Sequence, residues 1–118
     1  MKLSLKNEDR EKLDQVRRLL EKDPRVHYTN IELAQKVGTN EFKLKNGFKQ
    51  LYLMSPFEYL TNLRIEKAKE LLSFTQHPIK RVAVEVGFTK STNFSKRFRI
   101  LTGVTPLEWR NNYQKARP

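Results

Sequence analysis

Apolar residues along this chain recur at helical spacing, and strand-like alternation is nearly absent. Leu13, Val16, Leu19 and Leu20 form the first stripe, which predicts a helix capped by Asn7 and running to about Lys22. Asp23-Pro24 ends it, because the residue before a proline is pushed out of the α region. Thr29-Asn30-Ile31-Glu32 has the spacing of a capping box and predicts a second, short helix through Val37. Gly38 stops that helix where a left-handed residue is wanted, and Asn40 caps a third that contains Phe42 to Leu51. Ser55-Pro56-Phe57-Glu58 then opens the longest internal helix, with a serine cap, proline at the first helical position and glutamate at the third. It runs to about Ser73, with Leu60, Ile65, Ala68, Leu71 and Leu72 on its inner side. Arg64 falls on nearly the same face, which favours an inward arginine paired with a carboxylate or a helix end. Pro78 opens a fifth helix ending at Val86-Gly87, and Thr105-Pro106 starts a last one that carries Trp109 and Tyr113. Between them Phe94 and Phe98 stand one turn apart and share the buried face of a sixth helix.

Parts of this series repeat at an offset of 49 to 50 residues. Leu33-Ala34, Val37-Gly38 and Phe48 answer to Val82-Ala83, Val86-Gly87 and Phe98, and Ser55 to Tyr59 answers to Thr105 to Trp109. Each copy reads as short helix, glycine turn, longer helix, which is the helix-turn-helix unit. The expected fold is all-α, with about seven helices arranged as two helix-turn-helix subdomains joined by a long linker helix. The expected organisation is one domain over 1–118: an N-terminal helix and first unit over 7–54, the linker helix over 55–73, and the second unit with a closing helix over 78–113.

Charge turns this scaffold toward an anionic partner. A formal net charge of +11 in 118 residues, with a pI near 10.1, points to nucleic acid first and an anionic membrane surface second. The bases are localised: from Lys80 to Arg110 they are Lys80, Arg81, Lys90, Lys96, Arg97, Arg99 and Arg110, against Glu85 and Glu108 alone. A second focus lies at Lys43, Lys45 and Lys49, whereas acids and bases nearly balance from Lys6 to Asp23. The bases cluster beside capped turns and not along one amphipathic helix, which disfavours a membrane-surface or adaptor role. With no cysteine, disulfides and thiolate metal sites are excluded. His27 and His77 stand apart with no carboxylate cluster near either, and no nucleophile–base set or phosphate-cradling glycine loop can be assembled. The expectations are therefore no enzyme activity, no cofactor and no metal. No apolar run reaches the length of a membrane span and no signal-peptide core follows the N-terminus, so a cytoplasmic address is expected.

The stretch Gly87 to Arg99 concentrates these features. Ser91, Thr92, Ser95 and Lys96 lie off the phenylalanine face and can hydrogen-bond to base edges or phosphates, with no acid between Phe88 and Arg99. An ordinary amphipathic helix with a solvated basic face has the same period. The wider pattern resembles the DNA-binding domain of AraC/XylS-type bacterial transcription regulators. The resemblance rests on Ile79, Val82-Ala83, Val86-Gly87-Phe88, Asn93 to Phe98 and Gly103 to Arg110, together with Leu33-Ala34, Gly38, Phe48-Lys49, Ser55-Pro56, Tyr59-Leu60, Arg64-Ile65, Ala68 and Leu71-Leu72. It covers roughly Thr29 to Tyr113.

The resemblance implies that the third and sixth helices read successive major grooves of double-stranded DNA about 34 Å apart. Carried over by position, Phe42, Lys45, Asn46, Ser91, Thr92, Ser95 and Lys96 become base contacts. Lys43, Lys49, Lys90, Arg97 and Arg99 become phosphate contacts. Chemically, Lys45 and Lys96 suit guanine N7 and O6, Asn46 suits adenine N6 and N7, and the Thr92 methyl suits that of thymine. Phe42 is open to a core assignment, whereas Phe48, Phe94 and Phe98 are assigned to the core. The implied function is sequence-specific binding at a promoter or operator and transcription regulation, with RNA polymerase a candidate further partner. A non-specific architectural DNA- or RNA-binding module is the alternative. Such regulators usually carry a sensing or receiver domain ahead of this module, for which residues 1–6 leave no room; the chain is therefore expected to be the C-terminal part of a larger regulator, with a short stand-alone member as the alternative. Gly47, inside the third helix, departs from the pattern: the helix is weakened there by about 1 kcal/mol relative to alanine, or a neighbour comes too close for a side chain. Asn46 stands where relatives often have a longer basic residue, and Asn93 where an aromatic is common.

Overall fold

A computed structural model describes residues 2–116 as seven helices, with no strand among them. These are α1 (Asn7–Lys22), α2 (Asn30–Val37), α3 (Glu41–Tyr52), α4 (Pro56–Phe74), α5 (Ile79–Glu85), α6 (Ser91–Thr102) and α7 (Pro106–Ala116). The chain divides into two compact units, and the boundary falls inside α4 after Thr61.

In the first unit, capping chemistry sets the helix starts. The Thr29 hydroxyl accepts from Glu32 N–H at 3.1 Å while the Glu32 carboxylate takes Thr29 N–H at 3.2 Å. Gly38 ends α2 at φ +78°, and its N–H reaches Ala34 O at 2.9 Å. Two residues on, the Asn40 carboxamide accepts from Lys43 N–H at 2.8 Å and starts α3. The start of α1 differs from expectation. Its N-cap is Lys6, and Asp9 reaches back to accept Lys6 N–H at 3.1 Å, so the cap is made by the acid of the first turn and not by Asn7. The core joins Leu13, Val16 and Leu20 of α1, Leu33, Ala34 and Val37 of α2, Leu44 and Phe48 of α3, and Leu60 of α4. Leu19, expected in this stripe, is half-buried and lines an open cleft with Arg18, Lys22, Lys36 and Val37. The Phe48 ring is fully buried and contacts Tyr52 and Tyr59 at centroid distances of 4.6 and 5.7 Å. At the edge of this cluster the Tyr59 hydroxyl donates to Glu21, which Arg17 also holds.

The second unit repeats the plan. Ile65, Ala68 and Leu72 of α4, Val82 and Ala83 of α5, Val86, and Phe94 and Phe98 of α6 form its core. Leu71, Ile79, Phe88, Val104 and Trp109 pack at its rim as partly buried residues. Four rings stack in series: Phe88 on Phe94 at 5.4 Å, Phe94 on Phe98 at 5.8 Å, and Phe98 edge-on to Trp109 at 5.8 Å. Arg64 points inward, with its guanidinium 5.9 Å from the Phe88 ring centre, and burial pulls its pKa down. At the end of α4, Arg110 Nε donates to Leu72 O at 3.0 Å and Trp109 Nε1 to Ser73 Oγ at 3.1 Å. These two bonds fasten α7 to the last turn of α4, where helix carbonyls lack intrahelical donors.

Candidate nucleic-acid interface

The same side-chain geometry arises twice from the same register. In α3, Leu44, Gly47 and Phe48 face the core. That leaves Phe42, Lys45, Asn46 and Lys49 on the exposed side. In α6, Phe94 and Phe98 face inward, and Thr92, Lys96 and Arg99 form an exposed stripe at i, i+4 and i+7. Ser91, Ser95 and Arg97 flank that stripe as half-buried residues, and Lys90 is exposed at the N-cap. Phe42 is 57% exposed, so a core role for it is excluded. Phe48, Phe94 and Phe98 are fully buried, as assigned.

The two helices differ in how their polar groups are already committed. Asn46 Nδ2 donates to Phe42 O one turn back at 2.9 Å, leaving its second N–H and its oxygen for an outside partner. Lys43 Nζ lies 3.5 Å from the Asp9 carboxylate, and it alone of the nominated residues has an ion-pair partner among the described residues. Asp9 is held ionised by the Lys6 N–H first and by Lys43 second, so its pKa falls below the usual carboxylate range. At the start of α6 Lys90 occupies the N-cap with no side-chain cap bond, where Asn40 caps α3. The first-turn N–H groups of α6 thus lie next to an exposed ammonium, a setting that suits a phosphate. Ser95, Lys96 and Arg99 also border an open depression completed by Ile100 and by Thr105 from the start of α7.

Two positions on these faces escaped the sequence reading. Leu53, the C-cap of α3, sits at φ +63° and is 85% exposed, in line with Phe42, Asn46 and Lys49. Its counterpart fifty residues on is Gly103, at φ +85°, so the repeat held a signal that a left-handed residue was required there. Ile100 is exposed beside Lys96 and Arg99, and its helical spacing from Lys96 was the available clue. Among the described residues no group of three potential metal ligands occurs, and no helix is long and apolar enough to cross a membrane.

Known proteins share this arrangement. A family profile described as a helix-turn-helix domain matches residues 33–112. The HTH-type transcriptional regulator ArgR of Pseudomonas aeruginosa is 34% identical over 100 residues, which are 85% of this chain and 30% of that protein. The arabinose operon regulatory protein of Salmonella typhimurium is 36% identical over 84 residues, 71% of this chain and 30% of its own length. Both relatives are thus far longer than the segment they share. A transcriptional regulator from Chromobacterium violaceum, described by its AraC-type DNA-binding domain, superposes with a TM-score of 0.81 at 29% identity, over 92% of this chain and 96% of that one. The DNA-binding domain of AdpA, solved in complex with a target DNA, superposes at 0.84 over 90% and 96% of the two chains. Its 23% identity makes this a likeness of fold.

Proposed function

Because the chain belongs to the AraC/XylS-type family of helix-turn-helix DNA-binding domains, we propose that it is a single domain which reads a promoter or operator at two places, with α3 and α6 in successive major grooves. The family is one of transcription regulators and not of enzymes. One observation carries the two-site reading: the exposed stripe is built twice at the same register, Phe42, Asn46 and Lys49 in α3 and Thr92, Lys96 and Arg99 in α6. Each stripe lies opposite a buried phenylalanine that fixes the helix rotation, Phe48 in one and Phe98 in the other. Direct readout falls to Phe42, Lys45, Asn46, Ser91, Thr92, Ser95 and Lys96, and charge neutralisation to Lys43, Lys49, Lys90, Arg97 and Arg99. A partner of this kind gives the chain a cytoplasmic address and brings RNA polymerase within reach at a promoter.

Selection on random duplexes at about 150 mM salt tests this, followed by titration of the winner against a scrambled sequence. Two short blocks one helical turn apart, preferred by about 10³-fold or more, are the expected result. Enrichment without a motif would give the alternative, a general DNA- or RNA-binding module, and would remove the base-contact assignments while leaving the basic faces.

A further inference from the structure

Ahead of α1, residues 3–5 run back along α3. Leu3 N–H donates to Gln50 Oε1 at 2.7 Å, and Gln50 Nε2 donates to Leu3 O at 2.9 Å. The side-chain amide therefore pairs with one main-chain residue as a neighbouring strand would. Further along, a Cβ added at Gly47 would stand 3.4 Å from Leu5 Cδ2 and 2.9 Å from Leu13 Cδ1. Then Asp9 meets Lys43. Leu3, Leu5 and Asp9 thus follow Gln50, Gly47 and Lys43 in order, antiparallel to α3. Those three α3 positions, at i+7, i+4 and i, are one helix stripe, adjacent to the exposed stripe of Phe42, Asn46 and Lys49.

The matching stripe of the second copy is more open. At the positions fifty residues on, Asn93 and Ile100 are exposed and Arg97 is half-buried. α3 is a helix with a glycine on its packed side and a fully buried ring beside it, so its rotation depends on what fills the space over Gly47. A leucine at Gly47 would fill it from within the helix; here Leu5 and Leu13 do so from outside. We propose that residues 3–5 are a positioning strap for α3: the Gln50 amide clamps the strap, and the seated strap holds the helix in the rotation that presents Lys45 and Asn46. This rests on α3 being a reading helix. Gln50 and Leu5 touch no DNA in this scheme and act through α3.

Gln50→Ala removes the clamp, and Leu5→Ala removes the packing on Gly47 from the opposite partner. Each variant is titrated on the selected duplex and on two others, each with one block scrambled. The expected loss is about tenfold on the duplexes that keep one particular block, and none on the duplex where that block is scrambled, with the same block for both variants. Equal loss on every duplex would mean general damage, and no loss on any would mean an idle strap; either overturns the proposal. Amide hydrogen exchange without DNA gives a second readout, in which both variants should speed exchange in α3 and leave α6 unchanged. If the wild-type protein shows no preference for either block, the two-site reading fails, and the exchange data alone decide whether the strap seats α3: unchanged α3 rates would sink it.

Discussion

Leu53→Gly is expected to stabilise the protein. Leu53 sits at φ +63° and ψ +19°, and its N–H bonds to Lys49 O at 2.8 Å as the closing bond of α3. For a residue with a Cβ this conformation costs about 1–2 kcal/mol. Glycine removes that cost and returns about 0.5–1 kcal/mol through its greater freedom in the unfolded chain. Little packing is at stake, because the leucine is 85% exposed. The balance is about 0.5–1 kcal/mol in favour of glycine, or a few degrees in melting temperature for a domain of this size. Gly103, which closes α6 with an N–H to Arg99 O at 2.8 Å, is the same solution already in place in the second copy. Urea unfolding followed by circular dichroism should show a higher midpoint at unchanged slope. A midpoint that stays put or falls would refute the reasoning, and Leu53→Ala, which keeps the strain and loses the side chain, is the control. If glycine stabilises while both variants weaken DNA binding, the leucine is retained for a contact, as strained residues at functional sites often are.

Phe98→Ala should cost about 3–5 kcal/mol, since the ring is fully buried between Phe94 and Trp109. An unchanged melting temperature with lost DNA binding would put the ring on the DNA instead. Lys96→Ala should weaken binding to the selected duplex by about 1–3 kcal/mol if Lys96 reads a base, and equal weakening on scrambled DNA would reduce it to a phosphate contact. Stability should hold from neutral pH to about pH 5 and fall steeply below about pH 4. The cause is a set of carboxylates with folded pKa values lowered by partners. The Arg17 guanidinium lowers Asp14, the Tyr59 hydroxyl lowers Glu21, the Thr29 and Thr105 N–H groups lower Glu32 and Glu108, and Arg81 lowers Glu85. A depressed folded pKa contributes stability above the unfolded value and loses it as pH drops through the folded one. A urea midpoint flat down to pH 2 would contradict this.

What the sequence made legible was local. Thr29, Asn40, Ser55 and Thr105 cap the helices they were expected to cap, because each acts on an N–H three residues away. The α1 start was misplaced for the same local reason: Asn7 and Asp9 both suit a first turn, and only the geometry shows which reaches an N–H. Burial was legible to within the width of a helix face. Leu13, Val16 and Leu20 are buried at i, i+3 and i+7, whereas Leu19 and Leu71 lie at the margins of their stripes and are half-buried. Gly47 could not be resolved from sequence, since the methyl groups of Leu13 and Leu5 that crowd it belong to a distant segment. Phe42 was ambiguous on composition and is settled as exposed by the orientation that Leu44 and Phe48 impose on α3.

The two copies diverge in what lies against the side of each reading helix. Gly47 is covered by α1 and the residues before it, while Arg97, its counterpart, stays half-exposed beside Lys96 and Arg99. Lys43 is shared with Asp9 from that same covering segment. Leu60 is a core residue of the first unit, whereas Arg110 in the equivalent register is buried to bond Leu72 O at the end of α4. Leu5, Leu13 and Asp9 thus bring hydrocarbon to the back of α3 and a carboxylate to its lysine. In the second unit, where Ile65, Ala68 and Leu72 of α4 share the core with Phe94 and Phe98, the same register carries Arg97 half-exposed, so its guanidinium keeps part of its hydration. Under the proposed reading, electrostatic attraction to DNA would fall mainly on α6, with its exposed Lys96 and Arg99, while the orientation of α3 would depend on packing. If both helices read DNA as proposed, the copies would be alike in register and unlike in what limits them: counterion release at the second, rotational seating at the first.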